Sequence, residues 1–334
     1  MSAADQDPEP VDEFDWIQRC LVPLADAPEA LGLLDDAAVV PSRPGYDLVI
    51  TKDAIVEGVH FLPGDPMESV AGKLIRVNLS DLAAKGAEPY GYVLATAWPR
   101  AMGWPAREAF ARGLAADQAQ FGLRLLGGDT VSTPGPFTAS LTALGWVPMG
   151  RMVKRSGAQA GDIVLVSGTI GDGYLGLQAA QGGLLDLPKE DRAFLAARYR
   201  TPQPRVGLGD ALRASATAAA DVSDGLIADA GRIAIASGLR IELDLEKTPL
   251  SPAGRRWLKR QGDQDTGLMA LASGGDDYEV ICTVSPQEAD ALQGAGERLG
   301  LPLTPIGSVS AGQGVLTRLN GRLVSAGRGG YRHG

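Results

Sequence analysis

Short apolar runs that end on acidic or hydroxyl side chains recur along the chain and alternate with segments of helical period. Leu48-Val49-Ile50 runs into Thr51-Lys52-Asp53, which predicts a strand delivering polar groups over residues 50–61, with Glu57 and His60 beyond it. A strand is also predicted around Asp35-Asp36-Ala37-Ala38-Val39-Val40, with Gly45 as the turn between the two. Upstream, residues 1–11 read as a disordered acidic arm, after which Phe14, Ile17 and Leu21 share one helical face until Pro23 stops the run.

The period then predicts a helix over residues 67–77, leading to Asn78-Leu79-Ser80-Asp81, where Ser-Asp before an alanine-rich turn has the form of an N-cap. A strand over 91–97, a helix over 106–120, an apolar run ending in Gly127-Gly128-Asp129-Thr130 and a strand over 139–148 follow. The basic, turn-rich stretch 150–161, with Arg151, Lys154 and Arg155, marks the predicted boundary between two domains, residues 12–150 and 151–334. A strand over 162–168 opens the second half, and a basic tail around residues 328–333 closes it. Ser80-Asp81 before Gly127-Gly128-Asp129 is echoed by Ser223-Asp224 before Gly274-Gly275-Asp276, a faint sign of related halves.

Composition narrows the class. The chain has 334 residues, 45% of them hydrophobic, with 44 glycines and 5% aromatics, which suits a turn-rich α+β enzyme of mixed α/β character rather than a helical bundle, coiled coil or solenoid. A formal net charge of -9 and a pI of about 4.9 argue against a nucleic-acid or anionic-membrane surface, so phosphates bound here need added positive charge. Cys20 and Cys282 make no disulfide framework and no four-thiolate zinc site. The N-terminus lacks a basic region followed by an apolar one, and no segment approaches a membrane span, so a cytoplasmic protein is expected.

Candidate chemistry rests on carboxylates. Gly171-Asp172-Gly173-Tyr174-Leu175-Gly176 fits the dinucleotide fingerprint, but it lies mid-chain, and the acids about 20 residues on, Glu190 and Asp191, fall in a polar loop rather than at a strand end. Phosphate-loop, nucleophile-elbow and paired-cysteine signatures are absent from the sequence, and His60 and His333 are its only histidines. Any metal here is therefore a hard cation on oxygen ligands. Asp36, Asp53, Asp81, Asp129, Asp221 and Asp224 each sit where an apolar run ends or a helix begins. Singly, each reads equally as a helix cap or strand end. Clustered, they repel one another unless cations neutralise them, a role for Mg²⁺ that also carries a nucleotide's phosphates.

The order of these motifs resembles the thiamine-monophosphate kinases, of the superfamily that includes aminoimidazole ribonucleotide synthetase. The resemblance rests on Asp35-Asp36-Ala37-Ala38-Val39, on residues 53–61, on Asn78-Leu79-Ser80-Asp81-Leu82-Ala83-Ala84 and on Gly127-Gly128-Asp129-Thr130. Arg155-Ser156-Gly157-Ala158, Asp221-Val222-Ser223-Asp224-Gly225-Leu226 and Gly274-Gly275-Asp276-Asp277-Tyr278-Glu279 extend it through the second half. It implies a two-domain fold, with an N-terminal mixed sheet completing a barrel across a homodimer and a C-terminal α+β domain. It also implies transfer of the γ-phosphoryl group of ATP to thiamine monophosphate with several Mg²⁺ ions.

Carried over by residue, the resemblance makes Asp36, Thr51, Asp53, Asp81, Asp129, Asp221 and Asp224 metal ligands, with Asp53, Asp81 and Asp224 the most critical. Gly128, Asp129, Arg155 and Ser223 become ATP contacts, and His60, Asp276 and Tyr331 substrate contacts. The acceptor is already anionic, so no residue is assigned as general base. Relatives of other reaction type, an ATP-dependent ligase or cyclase or a selenophosphate synthetase, remain alternatives, as does a nucleotide-binding homologue without turnover. The chain departs from the family pattern at Leu34, where a glycine is expected, at Lys52, where a hydroxyl is expected, and at Arg332-His333, where an acid is expected after the aromatic.

Overall fold

The computed structural model describes residues 11–324; the predicted acidic arm up to Pro10 and the basic tail with Tyr331 lie outside the described residues. The fold mixes helices and sheets in two compact units. One runs to Asn78 and resumes over Pro89–Trp146, and the other takes Leu79–Glu88 and the described residues from Val147 onward.

The first unit holds α1 (Glu13–Trp16), β1 (Tyr46–Val56), most of α2 (Met67–Ala84), β2 (Glu88–Pro99), α3 (Trp104–Phe121), β3 (Leu125–Thr133) and β4 (Thr138–Pro148). Its sheet has the order β1-β4-β2-β3, with β2 and β3 parallel. Along β1 the period of two is visible: Val49 and Ile55 are buried, while Leu48, Ile50, Lys52 and Ala54 are exposed on the other face. Trp98 anchors the core, its ring 5.6 Å from Phe110, 4.5 Å from Phe137 and 5.5 Å from Trp16. Helices α2 and α3 are joined by Arg76, which donates to both carboxylate oxygens of buried Asp117 at 2.8 and 2.9 Å.

Three expectations fail here for local reasons. Residues 35–43 form no strand. Pro41 and Pro44 remove backbone donors that a ladder needs, and Leu31, Gly32 and Leu33 turn the chain with positive φ. Leu34, at φ -101°, needs no glycine. The first helix is only Glu13–Trp16, capped by Asp12, and passes into a π turn at Ile17–Leu21; Trp16 is buried there and Phe14 is exposed. Ser80 and Asp81 cap nothing, because α2 runs unbroken to Ala84; it is buried nearly all round, and its polar side chains Lys73, Arg76, Asn78 and Ser80 each have a partner.

The second unit contains β5 (Ile163–Ser167), α4 (Asp172–Ala180), α5 (Lys189–Arg200), α6 (Gly209–Ser215), β6 (Ala216–Val222), α7 (Leu226–Ser237) and β7 (Arg240–Asp244). It continues through α8 (Pro252–Leu258), α9 (Gln264–Ser273), β8 (Glu279–Val284), α10 (Ala289–Arg298), β9 (Leu303–Ser310), β10 (Gly314–Leu319) and β11 (Arg322–Val324). Seven strands form one sheet in the order β11-β10-β7-β9-β5-β8-β6. The sheet is covered on both faces: Val164 and Val166 of β5 enter one core cluster and Leu165, between them, enters another. Ser223-Asp224 lies in a turn whereas Ser80-Asp81 is helical, and Gly274-Gly275-Asp276 is a loop whereas Gly127-Gly128-Asp129 lies in β3, so the sequence echo has no local counterpart.

Replacing Asp117 by Ala strands the Arg76 guanidinium in the interior of the first unit. We expect a loss of about 3–5 kcal/mol in unfolding free energy, read from the denaturant midpoint; an unchanged midpoint would show that Gln120 suffices as its partner.

Candidate functional site

In the first unit, strand alternation puts Thr51 and Asp53 on the side of buried Val49 and Ile55, and Lys52 on the opposite side. The backbone at Asp53 is held from two directions: its N–H donates to Asn78 Oδ1 on α2 at 3.0 Å, and its carbonyl accepts from Ser140 Oγ at 3.2 Å. Past the end of β1 the chain folds back, so that His60 Nδ1 accepts the Val56 N–H at 3.1 Å. The ring proton therefore sits on Nε2. Buried Lys73 donates to the His60 carbonyl at 2.8 Å and fixes the turn from below.

On β3, Gly128 is aligned with Leu94 and Asp129 with Ala95 of β2. A Cβ at Gly128 would stand 1.9 Å from the Leu94 carbonyl oxygen, so strand packing alone demands glycine there. Asp129 is exposed and shares a face with Val131, whereas Thr130 is buried on the other face. Asp36 lies exposed in the turn after Leu34. Among the described residues no three His, Cys, Asp or Glu side chains stand close enough to hold one metal ion.

In the second unit two turns meet backbone to backbone. The Asp276 N–H donates to the Ser223 carbonyl at 2.9 Å, and the Tyr278 N–H to the Val222 carbonyl at 2.8 Å. The approach leaves no room for side chains: a Cβ at Gly225 would lie 2.5 Å from the Ser273 oxygen, and one at Gly275 2.5 Å from the Ser223 oxygen. This contact sets Asp221, Ser223 and Asp224 on one side and Asp276 on the other. Asp276 itself adopts φ 68° and accepts from the Tyr278 hydroxyl at 3.1 Å. Asp221, buried at the end of β6, accepts from Ser80 Oγ at 3.1 Å.

Lys85 and Arg232, two cations absent from the sequence reading, hold this part of the second unit together with Arg155, which that reading contained. Lys85, one turn after Asp81, donates to the Ala219 carbonyl at 2.7 Å. Burial pushes its pKa down to about 8; Arg155 adds to the shift, and Asp221 and Asp81 oppose it. One lysine thus feels Arg155, Asp221 and Asp81 together. Among the described residues the Arg155 Nε is buried without a hydrogen-bond partner, a donor suited to an anion. Arg232 is ion-paired with Asp224 and with Asp229, whose carboxylate also accepts from the amides of Ser223 and Asp224. The available signals were a lone lysine in a run of small residues and an Asp–Arg pair three apart on apolar α7.

The dinucleotide-like loop is spent on structure. The Gly171 and Gly173 amides donate to the Asp277 carboxylate at 2.8 and 2.9 Å, and β5 runs antiparallel to both its neighbours, not in a parallel βαβ unit. Burial lifts the Asp277 carboxyl well above the ordinary range. Glu190 and Asp191 begin α5 rather than lying in a loop, and Asp191 pairs with Arg256. Beneath Asp277, buried Glu279 accepts from Ser167, Arg198 and Arg205. Cys20 lies in the π turn, its thiol pushed up mainly by burial, which does not suit a reactive thiolate.

The AIR synthase related protein family matches this chain twice, its N-terminal domain over residues 34–147 and its C-terminal domain over residues 159–319. The thiamine-monophosphate kinase of Caulobacter vibrioides is 56% identical over 97% of this chain and 92% of its own. The crystal structure of thiamine-monophosphate kinase from Stenotrophomonas maltophilia K279a aligns with a TM-score of 0.82 at 39% identity, covering 94% of this chain and 98% of that one. AaThiL complexed with AMPPCP and TMP aligns with a TM-score of 0.76 at 30% identity, over 96% of each chain.

The depressed Lys85 pKa has a sign that can be checked. Between about 8 and the unfolded value of 10.5 the unfolded chain holds more protons, so the penalty of burying the ammonium is full below about 8 and fades as pH rises. The unfolding free energy of the wild type should therefore gain on that of Lys85→Met between about pH 7.5 and about pH 10. Parallel curves would show that the lysine is not buried as described.

Proposed function

We infer that this chain, which belongs to the thiamine-monophosphate kinases within the AIR synthase related family, performs its reaction with the carboxylates and cations described above. The reaction itself is the ATP-dependent phosphorylation of thiamine monophosphate to thiamine diphosphate. The observation that carries the reading of the site is the meeting of the end of α2 with β6: Ser80 Oγ, beside Asp81, donates to Asp221 at 3.1 Å, and Lys85, one turn on, donates to the Ala219 carbonyl at 2.7 Å. Carboxylates and a guanidinium side by side suit a polyphosphate brought in with divalent cations.

In this reading Asp36, Thr51, Asp53, Asp81, Asp129, Asp221 and Asp224 would hold Mg²⁺, with fewer than three of these carboxylates gathered at any one point among the described residues. The donors are all oxygen, which fits a hard cation and no softer one. When bound, Mg²⁺ supplies charge neutralisation for the phosphates. The chain's own groups do the rest. Arg155 offers its buried Nε–H to a phosphate oxygen, Ser223 its hydroxyl, and the Gly128-Asp129 segment its backbone. His60 donates Nε2–H to the phosphate of thiamine monophosphate, while Asp276 and Tyr331 contact the remainder of that substrate. A phosphate oxygen of the acceptor attacks the γ-phosphorus in line; the bond from that phosphorus to the bridging oxygen breaks, and ADP leaves with the electron pair. The attacking oxygen carries no proton to remove, so no general base acts.

The first half, residues 12–150, is assigned ATP and metal binding and dimerisation, and residues 151–334 the α+β domain. Exposed Leu48, Ile50, Val93 and Val131 on the sheet of the first unit, with β1 at its edge, support a second copy of the chain as their cover. The two free thiols and the demand for ATP suit the cytoplasm. Among the described residues no helix is long and apolar enough to cross a membrane.

Purified protein given Mg-ATP and thiamine monophosphate should yield thiamine diphosphate and ADP in equal amounts. ADP without the diphosphate would overturn the assignment. Asp53→Asn and Asp81→Asn should keep the fold and lower kcat on the order of a thousandfold, equivalent to about 4 kcal/mol of lost charge stabilisation. An unaltered rate in either variant would remove that residue from the metal set. Ile50→Glu should shift the species seen by light scattering from dimer to monomer, and a dimer that survives it would place the interface elsewhere.

A further inference from the structure

The turn that carries Ser223 and Asp224 is closed by two residues that nothing above places on a substrate. Asp229, in the first turn of α7, is fully buried. Its Oδ2 accepts the N–H groups of both Ser223 and Asp224 at 3.0 Å, and its Oδ1 accepts Arg232 Nη1 at 2.7 Å. The other terminal nitrogen of Arg232 donates to Asp224 Oδ2. The bonds form a ring: the backbone of residues 223 and 224, the carboxylate of Asp229, the guanidinium of Arg232 and the side chain of Asp224. Every bond in it is charge-assisted, and the planar guanidinium spans two acceptors at fixed spacing, which a lysine cannot do. The turn needs such a clamp, because Gly225 follows it at φ 116°, and a glycine there costs the chain its stiffness. Arg232 also lies within electrostatic reach of Asp221, so its charge offsets three neighbouring carboxylates.

We propose that Asp229 and Arg232 are positioning residues for nucleotide binding: Asp229 fixes the backbone that presents Ser223, and Arg232 holds the carboxylate of Asp224 in one orientation. The proposal rests on the reading of Ser223 and Asp224 as nucleotide and metal contacts. Asparagine at position 229 keeps the size but accepts on one side only, so its amide nitrogen opposes either the two backbone donors or Arg232.

The test uses the full chain and calorimetric binding of AMPPCP with Mg²⁺, alongside steady-state kinetics. Asp229→Asn and Arg232→Met should each weaken AMPPCP binding about tenfold, the size of one charge-assisted hydrogen bond. Both should raise KM for ATP while leaving KM for thiamine monophosphate within about twofold, a split that general loosening of the fold would not produce. Arg232→Lys, which keeps the charge and one contact, should recover part of the loss. Wild-type AMPPCP affinity in Arg232→Met, or equal effects on both substrates, overturns the proposal, and because Arg232 is only half-buried this arm stands even if Asp229→Asn fails to fold. Asp224→Asn tells the two levels apart: if it leaves AMPPCP binding unchanged, the assignment of the turn itself falls and the clamp with it; if it weakens binding while Arg232→Met does not, only the clamp is refuted.

Discussion

The second unit depends on two turns pressed together with no side chain between them. Val222–Gly225 and Ser273–Tyr278 approach so closely that Gly225 and Gly275 tolerate no Cβ, and two backbone hydrogen bonds stitch them together. That contact fixes where Asp221, Ser223, Asp224 and Asp276 stand. It is supported from beneath by buried carboxylates that are all used: Asp277 takes the amides of Gly171 and Gly173, and Glu279 takes Ser167 and two arginines. A buried carboxylate left without such partners would cost several kcal/mol, so the GGDDYE loop and the loop before α4 are coupled through Asp277.

Concentrated negative charge is the second constraint. An acidic protein that handles polyphosphates needs positive charge at the right points, and here it comes from single residues rather than a basic surface. Lys85 reaches β6 from the end of α2, Arg155 keeps a buried donor that has no partner among the described residues, and Arg232 grips Asp224. At Lys85 burial outweighs the attraction of Asp221 and Asp81 and pushes its pKa down to about 8. Such a set offsets part of the mutual repulsion of the carboxylates.

Much of this was legible in the sequence where a motif is also a local structure. A strand carrying Thr51 and Asp53 and the glycine-bracketed acids of the second half could be read directly, as could the expected fold, whereas the apolar run Leu48-Val49-Ile50 reads as wholly buried and in fact alternates, with Leu48 and Ile50 exposed. What failed did so where local pattern gives way to tertiary packing. Ser80-Asp81 looks like a cap, but α2 is buried and continues through it, so Ser80 serves Asp221 instead. Asp35–Val40 looks like a strand, but prolines and left-handed residues upstream deny it a ladder. The loop at residues 171–176 looks like a phosphate cradle because glycines that admit a phosphate equally admit a buried aspartate. Asp229 and Arg232 could not be seen as partners of Asp224 until α7 was known to start at Leu226.

In the proposed reading the arrangement binds, orients and neutralises; no side chain is assigned to accept the phosphoryl group, and the acceptor needs no deprotonation. Transfer should therefore pass directly from ATP to thiamine monophosphate. The stereochemical course at phosphorus tests this most directly, using ATP made chiral at the γ-phosphorus with oxygen isotopes and reading the configuration of the terminal phosphoryl group of thiamine diphosphate. A single in-line displacement predicts inversion. Retention would require a phosphorylated enzyme intermediate and would contradict the account.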